Sequence, residues 1–329
     1  MSEAAVKTKK PSKVNARLIG DMAPYIGLVL VVVVFYILTG GALLNGTNIQ
    51  AMANNVITTA MCTIGAVFVF AAGYFDMAVG GALCFSAVLG AMATISSGSL
   101  FVGAIVILAV SLGLGCIKAT LASFVNVPFF IFTIILGSIF SAIVLVIMGK
   151  ETTVLLKNAV KPIPELDFTQ MSIISVICLA VFFILCLIAF RYTPIGPKAK
   201  NMGGNVFAAK QSGISKTKTT FTVFIIGAIG IAIAAFLLML RTRTVGATTA
   251  GSVGNDVMVA LVLGGMPLSG GPRSKISAGL IGSITITVLN SGLVILGLNT
   301  GEVQIIRGIV FIVVVLVSSL SYRGKLLPR

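Results

Sequence analysis

Ten apolar runs follow one another along the chain, and short polar segments separate them. A helix needs roughly 20 apolar residues to cross about 30 Å of hydrocarbon. Gly and polar residues interrupt the second, third and eighth runs. The pattern therefore predicts an all-α membrane protein with about ten transmembrane helices, some of them broken. The runs lie at roughly 23–40, 50–72, 77–97, 100–122, 127–148, 171–190, 219–240, 251–267, 276–297 and 303–321.

Composition agrees with this class and excludes several others. The 329 residues are 57% hydrophobic and only 9% charged, whereas soluble domains are about 25% charged. No long hydrophilic segment could fold separately, so 23–322 is expected to be a single membrane domain. The absence of His excludes imidazole ligation and His-based catalysis, and five Cys in apolar stretches without CxxC spacing indicate neither a zinc site nor a disulfide framework.

Lysine and arginine are distributed unequally between the polar segments. An even number of spans places both termini on one side, together with 17 of the 23 cations. Five cations fall on the other side, and Arg307 lies inside the last run. Because cytoplasmic loops are enriched in Lys and Arg, the tails 1–22 and 323–329 and the loop 191–218 are predicted to be cytosolic, and 149–170 to be the main external loop. Lys118 is counted here as a cytosolic cation, and the scattered charges do not indicate a nucleic-acid partner.

Three charged residues lie within or beside apolar runs. A carboxylate there costs roughly 2.5–3.5 kcal/mol at mid-bilayer. Asp76 either caps a helix that starts near Met77 or lines a solute path, and Asp256 has the same two interpretations. For Arg307, we expect snorkelling to the interface or pairing with Glu302.

Two Asn residues and a loose internal sequence similarity give weaker indications of helix contacts, a solute path and a repeat. Asn55 and Asn126 lie within or at the ends of apolar runs, where interhelical hydrogen bonding and solute contact are both open. The stretch GYFDMAVGG (73–81) loosely resembles GNDVMVALVLGG (254–265), since each places an Asp beside a Gly-rich apolar run. The echo is a weak indication of an inverted repeat, an arrangement that many transporters share.

The segment 191–218 is the longest polar, basic interruption in the interior of the chain. Gly203 and Gly204 break the preceding structure, Asn205 is a good N-cap, and Gly213 supplies a left-handed stop. The residues between them predict a short cytosolic helix of about two turns. A solvated loop held to anionic membrane lipid by its lysines is the alternative.

Four stretches together resemble the permease subunit of ATP-binding-cassette (ABC) importers for monosaccharides, of the ribose, galactose and xylose type. GYFDMAVGG resembles that family's G-G-I-D-L-S-V-G-S, and VPFFIFT (127–133) resembles its V-P-P-F-I-x-T-L-G. GGNVFAAKQSGI (203–214) is similar to G-G-N-E-x-A-A-x-x-S-G-I. NDVMVALVLGGMPLSGG (255–271), followed by GLIGSITITVLNSGLVILG (279–297), resembles L-D-A-I-A-A-V-V-L-G-G-T-S-L-x-G-G and the N-G-L-x-x-L-G after it.

The resemblance implies a multi-pass subunit of the bacterial plasma membrane that works as a dimer with a second permease copy or a paralogue. Two ATPase subunits would bind ATP and magnesium on its cytosolic side, a soluble solute-binding protein would dock outside, and this chain would hold no cofactor. The candidates for its solute path are the polar residues noted above within or beside apolar runs, namely Asn55, Asp76, Asn126 and Asp256. The residues implied to dock into the ATPase are Gly203, Gly204, Asn205, Val206, Phe207, Ala208, Ala209, Lys210, Ser212 and Gly213.

Departures from the family pattern put the solute in doubt more than the class. Phe207 replaces an acidic or small polar position, and Lys118-Ala119 stands where many members have Asn-Gly. Nucleosides or a signal sugar are alternative solutes for the same machine. An ion-coupled secondary transporter that uses Asp76 or Asp256 is a different class, whereas a membrane-embedded enzyme lacks a nucleophile–base arrangement.

Overall fold

The computed structural model describes residues 13–125, 128–149, 151–161 and 167–323, and most of these residues are helical. Two turns of 3-10 helix, Ala42–Leu44 and Leu156–Asn158, supplement the longer elements. The α-helices are α1 (Lys13–Leu38), α2 (Gly46–Ala71), α3 (Val79–Ser97), α4 (Leu100–Phe124), α5 (Phe129–Met148), α6 (Phe168–Tyr192), α7 (Ile195–Gly204), α8 (Val206–Gln211), α9 (Lys216–Thr242), α10 (Val253–Leu263), α11 (Ser277–Ile295) and α12 (Thr300–Arg323).

Each of the ten apolar runs coincides with one of these helices, which confirms an all-α membrane protein. Among the described residues, seven helices are long and apolar enough to cross a membrane, namely α2, α3, α4, α5, α6, α9 and α11. The count of ten spans and the cytosolic location of the termini stay predictions, and most of both tails lies outside the described residues.

Helix α2 lies at the centre of the molecule and is buried along most of its length. It packs against α6, α9 and α11. A Cβ atom on Gly65 would lie 3.1 Å from the Cα of Gly227 on α9, so the two backbones approach as closely as small residues allow. Such contacts are the usual basis of helix association in lipid, where apolar side chains gain little from leaving the bilayer.

The described residues include a two-stranded sheet that the predicted fold class did not anticipate. Strand β1 (Thr153–Leu155), in the predicted external loop 149–170, pairs antiparallel with β2 (Thr244–Gly246), which follows α9. The register places Val154 opposite Val245. The sheet ties the segment between α5 and α6 to the end of α9.

Two helices begin inside the molecule, as the interrupted runs predicted. Residues 72–78 between α2 and α3 are not helical, and α10 has 11 residues, which span only about half of a 30 Å hydrocarbon layer. The first turns of α3 and α10 meet, because a Cβ on Gly80 would lie 2.8 Å from the backbone nitrogen of Gly254. The two Asp-bearing stretches that echo each other in sequence are therefore neighbours, while their relation by an inverted repeat stays a prediction.

Candidate functional site

Helix α8 has the cap and the stop that the sequence predicted. The Oδ1 atom of Asn205 accepts hydrogen bonds from the backbone N–H groups of Phe207 (2.9 Å) and Ala208 (3.1 Å). Gly213 has a φ of +78° and donates its N–H to the carbonyl of Lys210. A helix this short is marginal without both ends satisfied, so this frame explains why two turns persist at the surface.

The outward face of α8 combines an aromatic ring with a positive charge. Phe207 is 80% exposed and Val206 is 37% exposed. Lys210 is exposed, whereas Ala209 is 4% exposed and packs inward. Ala209 therefore packs α8 against the rest of the protein. An exposed Phe beside a lysine suits a partner that offers an apolar pocket with an acidic rim.

A second helix precedes α8, and the sequence analysis did not predict it. Helix α7 includes Pro197 in its first turn, where proline is tolerated, and ends at Gly204. Lys200 lies on it with its Nζ atom 4.6 Å from the ring centroid of Phe190. Burial lowers the pKa of Lys200. This lysine is therefore part of the packing that holds α7 under α6, in addition to any orienting role.

Three glycine-containing stretches meet behind α8. A Cβ on Gly203 would clash with the carbonyl oxygen of Ala71 and would lie 2.9 Å from the backbone nitrogens of Gly73 and Gly271. The N–H of Gly271 donates to the carbonyl of Ala71 over 3.0 Å. We call this contact of 71–73, 203–204 and 270–271 the glycine junction. Because backbone touches backbone here, the end of α7 is fixed directly to the end of α2.

Asp76 lies three residues beyond the junction and is 3% exposed. Its Oδ1 accepts from the N–H of Ala78 at 2.9 Å, and its Oδ2 lies 2.6 Å from Nζ of Lys118. This bond goes to the residue before α3, which begins at Val79 and has no side-chain cap, so the predicted capping of the first turn by Asp76 is not observed. Lys118 is 2% exposed within α4, so counting it as a cytosolic loop cation was wrong. A charge taken out of water requires a partner, and each of these residues supplies it for the other.

The remaining side chains of the segment 72–78 fix it to two other helices. The Tyr74 hydroxyl lies 2.9 Å from Oγ1 of Thr220 on α9, and its ring packs against Phe129 and Phe224. The N–H of Met77 donates to Oγ1 of Thr133 on α5 over 3.0 Å. Residues 72–78 therefore contact α4, α5 and α9 at once.

Asp256 makes a second buried ion pair. Its Oδ1 accepts from Nη1 of Arg307 at 2.9 Å, and the two side chains are 8% and 17% exposed. Glu302 does not pair with Arg307, contrary to one of our expectations. It accepts from the N–H of Asn299 at 2.8 Å, and Asn299 Oδ1 accepts in return from the N–H of Glu302. This reciprocal capping at the start of α12 occupies Glu302 and leaves Asp256 as the partner of Arg307.

Of the predicted path residues, Asp76 and Asp256 are both buried. Asn55 is exposed, and Asn126 lies outside the described residues. The neighbouring Asn54 instead lines a cavity of about 270 Å³ with Ser172 and Arg241, at the ends of α2, α6 and α9. No group of three or more His, Cys, Asp or Glu that could hold a metal occurs in the part of the chain that the structure describes.

Comparison with known proteins places this sequence in a family. The family model described as "Branched-chain amino acid transport system / permease component" matches residues 48–315, most of the chain. No solved structure matches significantly.

Individual relatives indicate more closely which class of permease the chain resembles. The chain is 29% identical to the ribose import permease protein RbsC of Bacillus subtilis over 302 residues, 90% of this chain and 91% of that protein. It is 24% identical to the galactofuranose transporter permease protein YtfT of Escherichia coli over 81% of this chain and 78% of that protein. A match of 33% identity to the probable ABC transporter permease protein YphD of Escherichia coli covers less than half of either chain.

The chain thus belongs to the branched-chain amino acid and sugar permease family, among the permeases of monosaccharide ABC importers. It is a multi-pass protein of the bacterial inner membrane.

Proposed function

We propose that this chain forms the translocation path for a sugar or sugar-like solute and couples its import to ATP hydrolysis by a separate ATPase subunit. Helix α8 and its flanks, 203–213, would be the docking element. ATP and magnesium would be bound by the ATPase, and this chain would hold no cofactor. A second permease copy or paralogue and an external solute-binding protein would complete the assembly.

The exposed ring of Phe207 is the observation that carries the docking proposal. The side chain of Phe207 is 80% exposed, so it does not stabilise the chain itself. Helix α8 already has its N-cap and does not need this ring to form. The same ring in a partner's pocket removes apolar surface from water, at about 25 cal/mol per Å². The glycine junction supports the proposal, because it gives a docked α8 a firm attachment to the membrane helices.

An ion-coupled secondary transporter remains the competing class, and the buried pairs argue against it. Such a mechanism requires a carboxylate that is free to take up a proton or a cation. Asp76 is engaged by Lys118 and Asp256 by Arg307. Either carboxylate would first have to leave its partner.

The test measures solute uptake by reconstituted transporter. The complex is purified from its host together with the ATPase that copurifies, and it is reconstituted in liposomes loaded with ATP. D-ribose, D-xylose, D-galactofuranose and adenosine are supplied outside with the host's solute-binding protein. We expect uptake of one of them that stops with vanadate and persists when proton and sodium gradients are dissipated. Uptake by the permease alone in vesicles energised by an ion gradient would overturn the proposal.

A further inference from the structure

The non-helical segment 72–78 joins two regions that otherwise lie apart. At its first residues it belongs to the glycine junction, where Gly73 lies against Gly203, the first residue of the proposed docking element 203–213. At Asp76 it reaches the buried cation of α4. Only Tyr74 and Phe75 lie between these two contacts, so the segment is too short to absorb a displacement of one end.

The contacts at the inner end are polar and specific. Lys118 fixes the segment to α4, Thr133 fixes it to α5, and Thr220 fixes it to α9. The cavity beside Asp76 and Lys118 is about 10 Å³, which has room for at most about one water molecule. The pair is therefore held by packing on all sides, and movement of the segment must be followed by α4 or must break the ion pair.

A buried ion pair contributes little to the free energy of folding compared with well-packed hydrophobic residues. Hydrophobic residues of similar volume often hold two elements equally well or better, because they avoid the desolvation of two charges. The Asp76–Lys118 pair differs in being short-ranged and directional. Such a contact fixes the position of one segment against one helix face and has few alternative arrangements.

We infer that Asp76 and Lys118 are positioning residues for coupling, which link docking at α8 to movement of α4. Force at α8 passes to 203–204, across the backbone contact to 71–73, and through Asp76 to Lys118. The inference rests on the proposed function and adds a role for two residues that touch neither the ATPase nor, on this view, the solute.

The test compares transport with ATP consumption. The double variant Asp76→Asn/Lys118→Met keeps an acceptor for the Ala78 N–H but removes the ionic link. The control is Ser86→Ala/Ser111→Ala, which removes the buried 2.9 Å hydroxyl contact between α3 and α4, seven residues before Lys118 on the same helix. Both are reconstituted with the copurifying ATPase, and D-ribose is the probe unless the wild type imports D-xylose, D-galactofuranose or adenosine instead.

We expect the double variant to assemble with the ATPase and melt near the wild-type temperature, yet to import at least about fivefold less solute per ATP hydrolysed, as loss of an ordinary allosteric coupling does. The control keeps the wild-type ratio. A wild-type ratio in the assembled double variant would overturn the inference. A melting temperature that falls with no change of ratio would assign the pair a merely structural role.

If the double variant does not assemble, Tyr74→Phe takes its place, because it keeps the ring and removes the hydroxyl contacts of the segment to Thr220 on α9 and to the carbonyl of Ala122 on α4. A lower ratio supports the route through 72–78 that the inference requires, and an unchanged ratio overturns that route. The two proposals fail differently: a wild-type complex without ATP-driven import refutes the proposed function, whereas a coupled wild type with equally coupled variants refutes only the role of the pair.

Discussion

The Nζ atom of Lys118 on α4 lies 2.6 Å from Oδ2 of Asp76, and neither side chain is more than 4% exposed. This contact joins the break between α2 and α3 to a helix whose outer face is largely unburied. It also accounts for two charges that apolar surroundings would otherwise exclude.

Removing one member of this pair should destabilise the protein more than removing both. Lys118→Met leaves a buried carboxylate without its partner, which costs about 3–5 kcal/mol. Adding Asp76→Asn should restore most of that loss, because no charge is then left buried. Thermal unfolding of the detergent-solubilised single and double variants measures the difference, and equal losses in the two would contradict the ion pair.

Phe207→Ala should weaken ATPase binding without affecting the fold. A fully engaged aromatic anchor contributes about 2 kcal/mol, roughly thirtyfold in affinity. The matched control is Phe101→Ala at the start of α4, where the ring is 73% exposed. The dissociation constant for the ATPase, measured on purified subunits, should rise only for Phe207→Ala. A similar constant for both variants would remove Phe207 from the interface.

The glycine junction predicts an asymmetry between two Gly→Ala changes. At Gly203 the new methyl clashes with the carbonyl oxygen of Ala71, and the backbones must separate at a cost of about 1–3 kcal/mol. At Gly113, an exposed helical position of α4, the methyl meets nothing within 4 Å. Melting temperature should fall for Gly203→Ala alone. Unchanged stability there would show that the junction is looser than described.

The partner of Arg307 can be settled in the same way. Arg307→Met should cost about 3–5 kcal/mol, because it leaves Asp256 buried and unpaired. Glu302→Gln affects only the capping at Asn299 and should cost about 1 kcal/mol or less. Unfolding measurements that rank the two variants in the opposite order would restore Glu302 as the partner of Arg307.

Structural features that depend on residues close together in sequence were predictable, whereas features that depend on contacts between residues far apart in sequence were not. The apolar runs and the frame from Asn205 to Gly213 depend on local spacing, and each has the expected helix. Lys118 and Asp76 are 42 residues apart, so no local pattern pairs them. A lysine within an apolar run was the available signal, since such a cation requires a buried acid.

Helix α7 also could not be predicted from local sequence, because its composition disfavours a helix. Its ten residues contain three glycines and a proline, which disfavour a helix in isolation. Tertiary contacts explain why two of these positions are glycine. Gly196 packs against the carbonyl of Phe190 and Gly203 packs against that of Ala71, and neither contact leaves room for a side chain. Tertiary packing outweighs propensity here, and sequence alone does not contain that information.

Contact of Phe207 with an ATPase is the central claim, and a photoreactive amino acid at position 207 tests it most directly. The same amino acid at position 101 serves as the control, and both variants are irradiated in native membranes. The account predicts a covalent adduct between an ABC ATPase subunit and the 207 variant, with none at 101. Adducts to lipid alone at both positions would contradict the docking role of α8.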